Sequence, residues 1–298
     1  MTLRDYQNSS GFAIDDQIYL INNPNFPPSV DCSLTLKDVV SRKKRWINQL
    51  QIKREGLKNN GHINLFFGSS KKSTDQIAPL FKFVSTLMHK EFKVLLGKGD
   101  YDLDNEILKE IPKNVISVIG NNVSVHNDKL RFLPMGRDFR SKEFFQLPPQ
   151  AVKQHDLYVN FSLNTHARRP IIWQMIKSME FVTADHMGQF LNYEIGRDEF
   201  YTKMSKSKFC LCPRGNGLDT FRMWDALYLG AIPIVEKSPI FHEYLKDLPI
   251  LFVEDFKELN EWDVEKLNII YNDMLNRDYN YKKLDMIYWL KDYKSTDG

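Results

Sequence analysis

Residues 212–227, CPRGNGLDTFRMWDAL, combine the residue types that hold an anion. Gly215 and Gly217 lie between an apolar run, KFCLC (208–212), and a helical pattern, LDTFRMWDALYLG (218–230). A glycine-rich turn between a strand and a helix lets backbone N–H groups approach a phosphate, and the helix N-terminus adds partial positive charge. Arg214 offers a fixed charge with a fork of donors. Asp219, Arg222 and Asp225 recur every three residues as one polar stripe, while Phe221, Trp224, Leu227 and Tyr228 cover the opposite, core-facing side. Taken alone, such a stripe is a solvated helix face with an Arg–Asp pair worth roughly 0.3 kcal/mol.

Two ligand chemistries fit the turn. GNGLDT matches a dinucleotide fingerprint except that Thr220 stands where the third glycine belongs. Glu236 ends the next apolar run about 20 residues on, where that fingerprint needs a ribose-binding acid. This reading gives an oxidoreductase dependent on NAD(P) or flavin. In the other, the turn holds the diphosphate of a nucleotide sugar, Arg222 reaches phosphate and Asp225 accepts ribose hydroxyls. A carbohydrate-binding protein without catalysis is a third class, which predicts glycan affinity indifferent to nucleotides.

Other polar clusters carry less. GDYDLDNE (99–106) places Asp100, Asp102 and Asp104 after an apolar run, but an EF-hand loop would need Gly at Asn105 and Glu at Ile111. Acidic residues before a helix instead offset its dipole. Seven scattered histidines and three cysteines, without a C-x-x-C pair, give no zinc site. No metal or other cofactor is expected. Arg168 and Arg169 follow a strand; one is expected on a diphosphate and the other on the surface.

These residues need a scaffold that gathers strand ends. INLFFG (63–68), FKVLLG (92–97), NVISVIG (114–120) and LRFLPMG (130–136) read as strands, with helices over 75–90 and 103–111. After the proline pair in FQLPPQAV (145–152) the alternation restarts. DLYVNFSL (156–163), KFCLC, AIPIVE (231–236) and LPILFV (248–253) read as strands; 168–179, a segment up to Ser205, 218–230 and the stretch from Phe256 read as helices. Short apolar runs alternating with helices specify an α/β fold with parallel sheets. The expected domains are 1–150, 151–275, and a C-terminal aromatic helix, 276–298, returning to the first domain. Two Rossmann-like domains would then face each other across a cleft, with ligands at the carboxyl ends of the strands.

The 298 residues are 42% hydrophobic and 27% charged, which describes a globular protein with substantial cores. No apolar run approaches the 18 or so residues of a membrane span, and no secretory leader is evident, so a cytoplasmic location is expected. Net charge is only +3, and the basic clusters are short and separated, which argues against a nucleic-acid partner.

The run SKSKFCLCPRGNGLDTFRMWDALYLGAIPIVE resembles the C-terminal signature of exostosin-like glycosyltransferases of the GT47 type. The matching positions are Phe209, Cys210, Leu211, Pro213, Gly215, Arg222, Asp225, Ala226, Leu227, Ile232, Pro233 and Ile234. The family usually has Glu where Asp225 stands. The resemblance spans about residues 155–255 and is closest to compact, soluble versions from microbes and large algal viruses. It implies a GT-B fold and an inverting transfer of a sugar, xylose among the candidates, from a UDP-sugar to a glycan hydroxyl. Donor contacts would come from Arg168, Arg169, Arg214, Gly215, Gly217, Thr220, Arg222 and Asp225. Such a reaction needs one general base for the acceptor hydroxyl. Asp138, Asp100 and His126 are the candidates, and Gly68, Ser69 and Ser70 form a candidate acceptor loop.

Overall fold

The computed structural model describes residues 32–35, 62–68, 81–82, 85, 91–97, 100, 102–136, 151–185, 195–285 and 288–289. Contacts divide the chain into two units. One holds Gly136–Tyr288; the other runs up to Met135 and includes Trp289. Each unit contains one five-stranded, wholly parallel sheet, which makes both of them Rossmann-like α/β structures.

In the N-terminal unit, β1 (Cys32–Thr35), β2 (His62–Gly68), β3 (Glu91–Gly97), β4 (Val115–Gly120) and β5 (Leu130–Phe132) lie in chain order across the sheet. Phe92, Val94, Leu96, Val115, Val118 and Ile119 are buried, as expected of parallel strands covered on both faces. A Cβ on Gly120 would lie 3.1 Å from Leu96 O, so the close approach of β3 demands glycine there. The helix α1 (Asn105–Glu110) starts at Asp104, whose Oδ1 accepts from the backbone N–H of Glu106 and Ile107 at 3.0 and 3.1 Å. The last acidic residue of the DYDLD run is therefore an N-cap. Within the same unit the Trp289 ring meets Phe132 edge-on, centroids 5.3 Å apart.

The C-terminal unit contains β6 (His155–Val159), β7 (Val182–Ala184), β8 (Ser207–Leu211), β9 (Ile232–Glu236) and β10 (Leu251–Val253). Between them run α2 (Arg168–Ile176), α3 (Arg197–Ser205), α4 (Phe221–Tyr228) and α5 (Pro239–Leu245); α6 (Val264–Leu275) follows. The sheet order is β10-β9-β8-β6-β7. The order therefore reverses at β6, and the crevice between the carboxyl ends of β6 and β8 is the topological switch point where such sheets bind ligands. Leu157, Val159, Phe209, Leu211, Ile232 and Ile234 fill the core against Ile172 and Ile176 of α2 and Leu267 and Met274 of α6.

The element boundaries shift from the sequence reading for local reasons. The helix expected over 218–230 is α4, shorter at both ends. Thr220 is extended (φ −135°), and Gly230 adopts a left-handed φ of 71° that closes the helix. The segment read as helical up to Ser205 begins instead with the short strand β7, and α3 starts only at Arg197. The helix α5 was not read at all, although Ser238 at its N-cap and Pro239 in its first turn are ordinary start signals.

Candidate active site at the sheet switch point

The two loops at the switch point are tied together by Arg169, which is only 4% exposed. Its Nε donates to Arg214 O (2.8 Å), Nη1 to Ser162 O (3.0 Å) and Nη2 to Pro213 O (2.9 Å). Phe161 lies under the guanidinium, 5.4 Å from ring centroid to Cζ. One side chain from the first turn of α2 thus fixes the turn after β8. A Cβ on Gly215 would lie 3.3 Å from Arg169 Nη2, so glycine is required here for the approach of the guanidinium and not for a positive φ. The Gly215 N–H is spent inside the turn on Gly217 O (3.1 Å). The expected backbone cradle at Gly215 is therefore turned inward, because the turn needs that N–H to close.

Arg222 stands next to this clamp. Among the described residues, its buried Nε has no hydrogen-bond partner. Burial first, and then the charge of Arg222, pull Arg169 down to about 9. Two guanidinium groups therefore add their charges at one place, an arrangement that favours a bound anion. Thr220 adds its hydroxyl at the start of α4, unspent on capping. Arg214 arches over the turn, Nη2 donating to Asn216 O (3.2 Å).

The Asp219–Arg222–Asp225 stripe is not the solvated face its spacing allowed. Asp219 and Asp225 are 2% and 3% exposed, and every residue from Met223 to Tyr228 is buried. Asp219 Oδ1 accepts from Trp224 Nε1 at 2.6 Å, fixing the fully buried indole. A helix enclosed on this many sides cannot leave a stripe for solvent. Asp225 is instead a buried carboxylate one turn from Arg222.

Arg168, which the sequence left as an alternative to Arg169, serves different strands. Its Nη1 donates to Glu236 Oε2 at the end of β9 (2.5 Å) and its Nη2 to Asp255 Oδ2 beyond β10 (3.1 Å). Asp255 in turn caps the 3-10 segment Phe256–Glu261 in a capping box with Glu258. The Arg168–Arg169 pair therefore braces the carboxyl ends of β8, β9 and β10 from the first turn of α2. Two cations in a helix's first turn oppose its dipole by about 0.5 kcal/mol each.

Sequence reasoning missed a cluster at Asp185, just past β7. The Tyr158 hydroxyl donates to Asp185 Oδ2 (2.5 Å), Asn160 Nδ2 lies 3.4 Å from the same oxygen, and Lys203 donates to Oδ1. Burial opposes ionisation of Asp185, but the bonds from Lys203, Tyr158 and Asn160 hold its carboxyl below the usual range. Burial and this carboxylate push the Tyr158 phenol up. Its partners come from separate elements, and no local motif announces them.

In the N-terminal unit, Asp100 follows β3 and is half-buried, while His126 is exposed between β4 and β5. Both lie past carboxyl ends of strands. Asp138, Ser69 and Ser70 lie outside the described residues. Among the described residues, no group of three or more His, Cys, Asp or Glu side chains could hold a metal ion, and no helix is long and apolar enough to cross a membrane.

The Exostosin GT47 domain model matches residues 101–241, from the loop before α1 into the first turn of α5. No curated protein sequence matches the chain. Among solved structures, an α1,3-fucosyltransferase is 16% identical, with 79% of this chain and 78% of that one covered, at a TM-score of 0.47. A structure of trehalose-6-phosphate from E. coli bound with UDP-2-fluoro glucose is 9% identical, covering 84% and 76%, at 0.49. The N-terminal domain of Candida albicans trehalose-6-phosphate phosphatase is 11% identical, covering 86% and 74%, at 0.46. The switch-point turn, Arg222 and Asp225 all lie inside the span that matches the Exostosin GT47 domain.

Proposed function

We propose that the chain is an inverting glycosyltransferase that moves a sugar from a UDP-sugar, UDP-xylose among the candidates, to a hydroxyl of a glycan acceptor, without a metal ion. The observation that supports this best is Arg222, whose buried Nε has no hydrogen-bond partner among the described residues and whose charge adds to that of Arg169. A nucleoside diphosphate supplies the missing negative charge. In this reading Arg222, Arg214 and the N-terminus of α4 with Thr220 take the phosphates, and Asp225 accepts from the ribose. Gly215 keeps the turn slim enough for Arg169 to grip it, and Gly217 closes the turn through its carbonyl.

The acceptor oxygen attacks C1 of the sugar as the bond from C1 to the β-phosphate oxygen breaks. The diphosphate leaves with the bonding electrons, and the acceptor proton passes to a base. Fixed guanidinium groups stabilise the charge that develops on the leaving group, the part a divalent cation plays elsewhere. Residues 1–150 supply the acceptor contacts and the base, for which Asp138, Asp100 and His126 are the candidates.

A thermal-shift screen with UDP, GDP, their sugar conjugates, NAD, NADP and FAD, each with and without EDTA, tests the reading. A ligand at a hundred times its Kd stabilises by about 2.7 kcal/mol. A shift with UDP and a UDP-sugar that persists in EDTA supports it; a shift with NAD(P) or FAD alone overturns it.

A further inference from the structure

We propose that Glu236 is a hydroxyl-recognising residue of the donor site, its Oε1 accepting an O–H from a sugar ring of the bound nucleotide sugar. The inference rests on the nucleotide-sugar reading above and adds to it a residue on a strand that the glycine-rich turn does not reach.

Glu236 is the last residue of β9, in register with Val253 of β10, at the carboxyl edge of the sheet. Its side chain is 18% exposed, and the two oxygens differ sharply. Oε2 accepts from Arg168 Nη1 at 2.5 Å, whereas Oε1 is buried and has no hydrogen-bond partner. A buried carboxylate oxygen left without a donor is costly, on the order of 1–3 kcal/mol, and native structures usually satisfy it. Arg168 does not turn to cover it, because its Nη2 is held by Asp255, and Asp255 is itself fixed as the cap of the Phe256–Glu261 segment. The capping box, Asp255 and Arg168 thus hold Glu236 in place with Oε1 left over. Arg168 is a positioning residue, and Glu236 the one that touches ligand.

The missing partner is a donor, and a carboxylate oxygen repels phosphate. The chemistry that fits is a neutral O–H, the group that sugar rings present in number. Its source is either the transferred sugar or the ribose of the nucleotide.

The test compares the wild type with Glu236→Gln by calorimetric titration of UDP and of UDP-xylose, UDP-glucuronic acid, UDP-galactose and UDP-N-acetylglucosamine. In the variant, Arg168 requires an acceptor, so the amide oxygen turns to it and the NH2 takes the place of Oε1. Loss of one charge-assisted acceptor predicts weaker binding on the order of tenfold. Weakening for UDP-sugar but not UDP assigns the hydroxyl to the transferred sugar; weakening for both assigns it to ribose. Unchanged affinity for every ligand that the wild type binds overturns the inference and leaves the donor reading standing. If the wild type binds none of these ligands, the donor reading itself fails and this inference with it. Glu236→Asp, which keeps the charge opposite Arg168 and withdraws the carboxylate by one methylene, gives the same comparison if the Gln variant does not fold. The same loss is expected, and unchanged affinity again overturns the proposal.

Discussion

Arg169 Nη2 lies 3.3 Å from where a Cβ on Gly215 would sit, and the same nitrogen donates to Pro213 O at 2.9 Å. The glycine is there to admit the arginine, and the arginine is there to hold the turn. Both act on the site without needing to touch a ligand.

Gly215→Ala tests this coupling. The methyl group meets a guanidinium pinned by three carbonyls, which cannot shift without giving up a bond. The expected cost is about 1–2 kcal/mol of stability, read as a lower denaturation midpoint in urea. UDP affinity is expected to fall with it, because Arg214 and Arg222 flank the displaced turn.

Arg169→Leu removes the donors of Ser162 O, Pro213 O and Arg214 O together. Buried carbonyls left without donors should cost about 3 kcal/mol. The midpoint of urea unfolding is the readout, and a loss below about 0.5 kcal/mol would mean that the turn holds itself.

Arg222→Met is expected to behave in the opposite way in the absence of ligand. It removes an unpaired, half-buried cation that repels Arg169, so the melting temperature should hold steady or rise. A clear fall in melting temperature would show that Arg222 is structural.

Lys153 predicts a pH dependence. Its Nζ donates to Ser205 O (2.8 Å) and Gly230 O (2.7 Å), and burial pulls its pKa from 10.5 to about 8. Between these values the unfolded chain keeps a proton that the folded chain has released. Stability contributed by this group therefore rises with pH through that window and is reduced below about pH 8. The stability of the wild type relative to Lys153→Met should grow by about 2 kcal/mol from pH 8 to 10.5 in urea titrations.

The β8–turn–α4 segment was legible in the sequence because an apolar run, a Pro–Gly turn and a helical period follow one another without interruption. The burial of Asp219 and Asp225 was not, since a three-residue spacing specifies a face but not what covers it. Arg169 left even less trace: its partners are three backbone carbonyls, which any residue types could supply. The strand β7 falls inside a stretch that reads as helical because three residues, Val182–Ala184, are too few to show a period of two. The Asp185 cluster joins Tyr158, Asn160 and Lys203 across 18–27 residues of chain, a distance over which spacing carries no signal.

The measurement that bears most directly on the central claim is calorimetric binding of UDP to the wild type and to Arg222→Met, both in EDTA. The account predicts binding by the wild type and at least a tenfold loss in the variant, with the fold intact. Equal affinity in the two proteins would contradict it, because the unpaired guanidinium at the switch point would then have no part in holding the diphosphate.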